Sequence, residues 1–168
     1  MLPIWLLVFW PSYLWLILIP LNYLIDRIVL KWSLKDMPEK DAFCRRYNWN
    51  ICLAGFLADF AGMAVLLAVF MLTGTLVKDS SPIRGIIDNL EYGIGFNPFY
   101  NIFSFIVVAI SVAVSALCIY LLDKKILEKA GLDSEQAKCS ALKLALITAP
   151  YLYFFPSGII YDSHWFYM

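Results

Sequence analysis

The sequence predicts an all-α membrane protein with four transmembrane helices and a short extracytoplasmic amphipathic helix between helices 2 and 3. Its 168 residues are 62% hydrophobic and only 15% charged, which is too few charges to cover a water-soluble surface. The polar residues cluster between apolar runs. The runs reach the length of about 20 residues that crosses a bilayer as a helix. We therefore treat residues 1–168 as a single tetraspan domain.

The first predicted span covers about residues 4–34, which is longer than a bilayer requires. Either it is one tilted helix, or Pro11 or Pro20 kinks or breaks it. Asn22 and Asp26 are one turn apart and share a helix face. Asp26 then either marks the membrane boundary or belongs to a polar site inside the bundle.

The second predicted span, about residues 48–73, is the one around which the rest is organised. Asp59 is the only formal charge between Ile51 and Leu72. Small residues form one stripe beside it, namely Ala54, Gly55, Ala58, Ala61 and Gly62. Such residues let another helix approach closely, so we predict that Gly55, Ala58 and Gly62 contact a neighbouring helix.

The segment between spans 2 and 3 predicts an interfacial helix over about residues 82–91. Ser81 and Pro82 are typical of a helix N-terminus. Isoleucines and leucine then recur at helical spacing, opposite charged residues, so the helix should lie on the membrane or cap the bundle. Gly93, Gly95 and Pro98 are predicted to break the chain before the next span.

The third predicted span covers about residues 99–122. Its small polar residues share one stripe, namely Asn101, Ser104, Ser111, Ser115 and Cys118. This pattern predicts a helix–helix contact with hydrogen bonds, with Ser111 and Ser115 packed against the small stripe of span 2. The helix should continue to Gly131, a C′ glycine, and Asp133 with Gln136 should start the next helix.

The fourth predicted span covers about residues 137–160 and contains Lys143 and Pro150. Pro150 lacks a backbone donor and should kink this helix.

Positive charge predicts the orientation. The first connection has six Lys and Arg residues, namely Arg27, Lys31, Lys35, Lys40, Arg45 and Arg46. The third connection has four and the second only two. Residues 28–47 and 123–136 are therefore predicted to be cytoplasmic, with both termini outside. Cys44 and Cys139 fall in the cytoplasmic half, where thiols stay reduced.

Three strings, PLNYLID, GFLADFAG and APYLYFFP, resemble segments of small four-span membrane proteins of bacteria, mainly Gram-positive ones. The resemblance covers most of the chain. It implies four spans and a bacterial plasma membrane, multi-pass, in a family without a known activity.

The motifs do not favour an enzyme, and we predict no catalytic residue and no cofactor. No metalloprotease, nucleophile-elbow or phosphate-loop motif is present. The only histidine, His164, and the four dispersed cysteines predict no metal site. The net charge of zero gives no case for nucleic acid.

Asp59 has three candidate roles. It could hydrogen-bond to a neighbouring helix, pair with Lys143 or Arg27, or bind an ion, proton or polar solute. In the third role Asn22, Asp26 and Lys143 are the other candidate binding residues.

Two functions follow. One is an oligomeric transporter or channel for an ion or small solute. The other is a non-catalytic accessory subunit, sensor or defence or stress effector that contacts a protein partner or anionic lipid through loop 28–47.

Overall fold

The structure is a computed structural model that describes residues 4–7, 15–76 and 81–159, and every element in these ranges is helical. The α-helices are α1 (Ile4–Leu7), α2 (Trp15–Ser33), α3 (Lys40–Leu76), α4 (Arg84–Phe96), α5 (Ile102–Lys129) and α6 (Ser134–Thr148), followed by a 3₁₀-helix (Tyr151–Phe154). The prediction of an all-α fold is confirmed. The predictions for Pro11 and His164 lie outside the described residues.

Two described helices, α3 and α5, are long and apolar enough to cross a membrane. The ranges that meet this criterion of length and composition are Lys40–Thr75 and Ile102–Lys129. Helix α2 has 19 residues but carries Asp26, Arg27 and Lys31. Helix α6 has 15 residues, which is about 22 Å and shorter than a hydrocarbon core of about 30 Å.

The prolines act differently in the two terminal spans. Pro20 lies inside α2, which continues to Ser33, so the chain does not break there. Pro150 ends α6 at Thr148, whereas the sequence predicted a kinked helix that continues. The residue before a proline avoids the α region, and Ala149 accordingly takes φ −54° and ψ 150°. The segment predicted as the fourth span therefore consists of a helix, an extended corner and a 3₁₀-helix.

Helix α4 is longer than predicted because Gly93 and Gly95 lie inside it. A Cβ atom at Gly93 would lie only 1.9 Å from the Ser104 hydroxyl oxygen. That hydroxyl donates to the carbonyl oxygen of Leu90, at 3.2 Å. Gly93 thus permits close packing of α4 on α5. The turn comes after Phe96, and Asn101 caps α5 by accepting from the Ser104 amide at 2.8 Å.

The α5–α6 turn follows the prediction from sequence. Gly131 has φ +97°, in the left-handed region that glycine tolerates. The Leu132 amide donates to the carbonyl oxygen of Leu127 at 3.2 Å, which closes the end of α5. Asp133 then accepts from the Gln136 amide at 2.7 Å and caps α6. The predicted end of α5 at Gly131 and the predicted start of α6 at Asp133 are both confirmed.

Four helices form the body of the molecule. Helix α3 packs on α2 and α5, and α6 packs on α5 and α2, so the four form a closed bundle. One core cluster, which includes Leu34, Phe43 and Leu132, lies where α2 joins α3 and α5 joins α6. Another, which includes Trp5 and Ile94, lies at the end capped by α4. The two connections rich in Lys and Arg therefore share one end of the bundle.

The bundle buries polar side chains and exposes large apolar ones. The buried residues of the bundle include several polar side chains, namely Asp26, Asn48, Ser104, Ser111, Ser115, Asp123 and Ser140. Large apolar side chains are instead exposed on all four helices, for example Leu16 and Ile28 on α2, Leu57 on α3, Leu117 on α5 and Leu146 on α6. A monomeric soluble protein rarely exposes so much contiguous apolar surface.

Candidate functional site

A partly open cavity of about 190 Å³ lies between α2, α3 and the corner after α6, and it reaches Asp59. Its walls are mostly apolar or aromatic. Its lining residues are Leu18, Leu21, Asn22, Ile25, Phe56, Asp59, Thr148, Ala149, Pro150, Tyr151, Leu152 and Tyr153. A small apolar space with a few convergent polar groups is the usual form of a small-molecule site.

The Asp59 side chain lies on this cavity, and one of its two carboxyl oxygens has no partner in the described part of the chain. Its Oδ1 atom is buried and has no hydrogen-bond partner among the described residues. The nearby Tyr153 hydroxyl donates to the backbone carbonyl oxygen of Asp59 at 2.8 Å and not to its carboxyl group. Tyr153 is itself buried and belongs to the core. Asp59 is therefore fixed in place at its backbone and available at its side chain.

The C-terminal end of α6 lines the cavity and adds partial negative charge to that of the Asp59 carboxyl group. The last four carbonyl groups of a helix have no partner within the helix and give its C-terminus a partial negative charge. Pro150 has no amide hydrogen to donate, and the Tyr151 hydroxyl instead donates to the carbonyl oxygen of Leu146. Thr148, Ala149 and Pro150 all line the cavity. The α6 C-terminus thus favours positive charge in this space.

A polar layer continues from the cavity into the bundle. Asn22 lines the cavity, and its side chain and that of Asp26 both interact with the Cys52 thiol. Asp26 is only 2% exposed, and its Oδ2 atom has no partner in the described part of the chain. Asp26 is also close enough to Asp59 to interact with it electrostatically. Asn22, Asp26 and Asp59 are therefore neighbours in one polar region, and Asp26 is buried in the bundle.

Asp123 is the acidic residue that sequence reasoning missed. We predicted residues 123–136 to be cytoplasmic, but Asp123 is 1% exposed inside the bundle. Neither of its carboxylate oxygens has a hydrogen-bond partner among the described residues, and it interacts electrostatically with Asp26. The signal was present in the spacing, since Asp123 is eight residues beyond Ser115 on the same face of α5.

The two cations considered as partners of Asp59 lie elsewhere. The Lys143 ammonium lies over the ring of Trp32, 4.9 Å from its centroid, which is a cation–π contact between α6 and α2. Arg27 interacts electrostatically with Asp41, near the α2–α3 connection. Neither residue forms an ion pair with Asp59 in the described structure.

The small stripe of α3 lies against α5 and α2. A Cβ atom at Gly62 would lie 2.0 Å from the Ser115 hydroxyl oxygen and 2.7 Å from the Ser111 carbonyl oxygen. One at Gly55 would lie 3.6 Å from the Asn22 amide nitrogen. Ala58 is buried with Ile119 and Ala145. These contacts position Asp59, which follows Ala58, toward α2 and the α6 corner.

Comparison with protein families, curated proteins and solved structures finds no match to this chain. No three or more His, Cys, Asp or Glu side chains of the described ranges are grouped so that they could hold a metal ion. What the site offers is one available carboxyl group, a helix C-terminus and aromatic walls around a small cavity.

Proposed function

We propose that this chain is a multi-pass membrane protein that takes an ion or small solute into an intramembrane site at Asp59, as a transporter or channel-like protein. The observation that carries the proposal is the cavity that reaches Asp59 while one oxygen of this carboxyl group has no hydrogen-bond partner in the described chain. An ionisable group at membrane depth is costly, and it is usually retained for a ligand or a pathway.

The inside-out polarity of the bundle supports membrane insertion of α2 and α6 beside the two long apolar helices. Trp32 and Leu24 are exposed on α2, and Leu142 and Ile147 on α6. In lipid these faces would be solvated by acyl chains, which removes their cost in water. The corner at Pro150 would be tolerated at that depth because irregular backbone is accepted where it lines a cavity.

The orientation that we propose has both termini outside the cytoplasm, in a bacterial plasma membrane. It is supported by the six Lys and Arg residues around the α2–α3 connection and by the core cluster that joins that connection to the α5–α6 turn. Helix α4 would then be extracytoplasmic. A homo-oligomer would supply the volume that four helices do not enclose.

Flux through reconstituted vesicles tests the proposal. The full chain is placed in liposomes loaded with dyes for protons, Na⁺ or K⁺, and uptake is also measured for small labelled amines. Asp59→Asn keeps the shape and removes the charge, so we expect it to abolish the flux that the native chain supports. Asp133→Asn is the matched control because asparagine caps a helix as well as aspartate does. Equal flux in native and Asp59→Asn vesicles, or none above empty vesicles, would overturn the proposal.

The second candidate, an accessory or effector component, is favoured by a different surface. Arg45 and Arg46 are exposed at the start of α3, where they flank a shallow depression with Asp41 and Ala42. Such a basic end could contact an anionic headgroup or an acidic protein segment. Loss of binding to anionic liposomes in an Arg45→Gln, Arg46→Gln variant, with flux absent in the native chain, would favour this function over the first.

A further inference from the structure

We propose that the cavity at Asp59 is a site for a small organic ammonium ion, with the charged nitrogen at Asp59 and the apolar body among the aromatic and aliphatic walls. This inference rests on the proposed function and names the chemical class of its solute. It comes from three properties of the cavity, which are its charge preference, its wall chemistry and its size.

Charge preference comes from two separate elements. The Asp59 carboxyl group has an oxygen without a hydrogen-bond partner in the described chain, and Thr148 and Ala149, at the C-terminus of α6 with its partial negative charge, line the same space. Lys143, which the sequence offered as a partner of Asp59, lies over the Trp32 ring instead. A cation that enters the cavity would therefore meet a carboxyl group that is not ion-paired to any cation in the described chain.

The walls favour an organic cation over an inorganic one. An inorganic cation such as Ca²⁺ or Mg²⁺ takes six or more oxygen ligands, and no three or more His, Cys, Asp or Glu side chains of the described residues are grouped to hold a metal ion. The cavity instead presents Leu18, Leu21 and Ile25 together with aromatic rings. Phe56 and Tyr151 line it, and Trp15 stacks on Phe56 with ring centroids 6.2 Å apart. Aromatic faces attract an ammonium group while apolar walls bury its carbon body.

The enclosed volume of the cavity suits a single ring or a short chain. An engineered apolar protein cavity of about 150 Å³ takes benzene. The cavity at Asp59, at about 190 Å³, has room for one such ring with an aminomethyl group. Asn22, at the inner end, adds a side-chain amide oxygen that could accept from the same ammonium group.

Binding to the full-length protein in detergent tests the inference, with benzylammonium as the probe. Benzyl alcohol is the neutral match in size, and Na⁺ and K⁺ are the inorganic competitors. Binding is measured as a shift in the unfolding temperature with ligand concentration, because a ligand of the folded state stabilises it in proportion to its occupancy. We expect benzylammonium to bind at least about tenfold tighter than benzyl alcohol, which corresponds to one hydrogen bond to a charged group.

Two variants locate the interaction. Asp59→Asn should remove the preference for benzylammonium over benzyl alcohol, and Asp133→Asn should keep it. Phe56→Leu keeps the carboxyl group and removes an aromatic ring, so the preference for benzylammonium over benzyl alcohol should fall a few-fold. If Asp59→Asn does not fold, this variant still tests the site.

The possible outcomes distinguish a failure of the ammonium assignment from a failure of the proposed function. Equal binding of the amine and the alcohol would overturn the ammonium assignment, as would binding of Na⁺ or K⁺ that depends on Asp59 without binding of benzylammonium. In the latter case the proposed function stands with an inorganic ion. Benzylammonium binding that Asp59→Asn leaves unchanged would contradict both.

Discussion

The hydroxyl of Ser111 on α5 donates a hydrogen bond to the carbonyl oxygen of Gly62 on α3, with 2.6 Å between the two oxygens. Both residues are buried at the contact between the two longest helices. The hydroxyl can reach the backbone because glycine has no side chain in the way. This contact fixes the rotation of α3, and with it the direction in which Asp59 faces, three residues earlier in the chain.

Adding one methyl group at Gly62 should destabilise the protein. The Cβ atom of Gly62→Ala would meet the Ser111 carbonyl oxygen at 2.7 Å, and backbone cannot move aside as a side chain can. We expect a loss of about 1–3 kcal/mol in the free energy of unfolding, measured by thermal unfolding in detergent. Gly85→Ala is the control, because nothing lies within 4 Å of its Cβ position. It should gain about 0.5–1 kcal/mol from lower backbone entropy. A Gly62→Ala protein as stable as native would refute the close contact.

Removing the Ser111 hydroxyl should have a smaller effect. Ser111→Ala loses one interhelical hydrogen bond, which averages about 0.6 kcal/mol between transmembrane helices. Thr75→Ala serves as the comparison, since the Thr75 hydroxyl is exposed and bonds only to its own helix, to Met71 at 2.8 Å. We expect unfolding temperatures in the order Thr75→Ala above Ser111→Ala above Gly62→Ala. A Ser111→Ala variant less stable than Gly62→Ala would mean that the hydrogen bond, and not the close approach, holds the helices.

Replacing Asp123 by leucine should stabilise the protein. A polar group buried without a hydrogen bond costs about 1–3 kcal/mol by mutational measures, and both oxygens of Asp123 lack a partner in the described chain. Leucine at this site would leave no buried polar atom without a partner. Asp133→Leu is the contrast, because it removes the cap of α6 and should lose about 0.5–2 kcal/mol. Denaturation in detergent measures both, and marked destabilisation by Asp123→Leu would show that this carboxyl group has a partner after all.

Features that depend on residues close together in the sequence could be predicted from the sequence alone. The turn at Gly131 and the cap at Asp133 were predictable because each depends on residues within one helical turn. The all-α class and the two long apolar helices were likewise predictable from continuous apolar runs. The end of α6 at Thr148 was not predicted, because a proline in a helix can either kink or end it and tertiary contacts decide which.

The site was less predictable because it depends on which helix faces meet. Asp59 could be chosen from sequence as a charge in an apolar run, but the cavity beside it exists only because the chain turns at Pro150. Asp123 was missed because it precedes Lys124 and Lys125 and resembles a membrane-boundary residue. Gly93 was misread as a chain break, since a glycine that permits helix packing and one that permits a turn look alike in a sequence.

The proposed orientation can be tested with Cys139, the cysteine that is exposed. Cys44 is fully buried, so its protection from a reagent would report packing and not sidedness. In intact cells an impermeant maleimide should leave Cys139 unlabelled, and permeabilised cells should label it. Gly85→Cys on α4, in a Cys139→Ser background, should be labelled in intact cells. The reverse pattern would place the termini in the cytoplasm and overturn the topology.

A functional site at Asp59 requires that a small solute can reach position 59 from the cavity. Asp59→Cys and Ala58→Cys, each in the Cys139→Ser background, are treated in membranes with aminoethyl methanethiosulfonate, a small cationic thiol reagent. The neighbouring Ala58 is 1% exposed and faces Ile119 and Ala145 in the core. We predict rapid modification at position 59 and little at position 58, measured by the mass of the intact protein. Equal resistance at both positions would show a dry bundle around Asp59 and contradict the account.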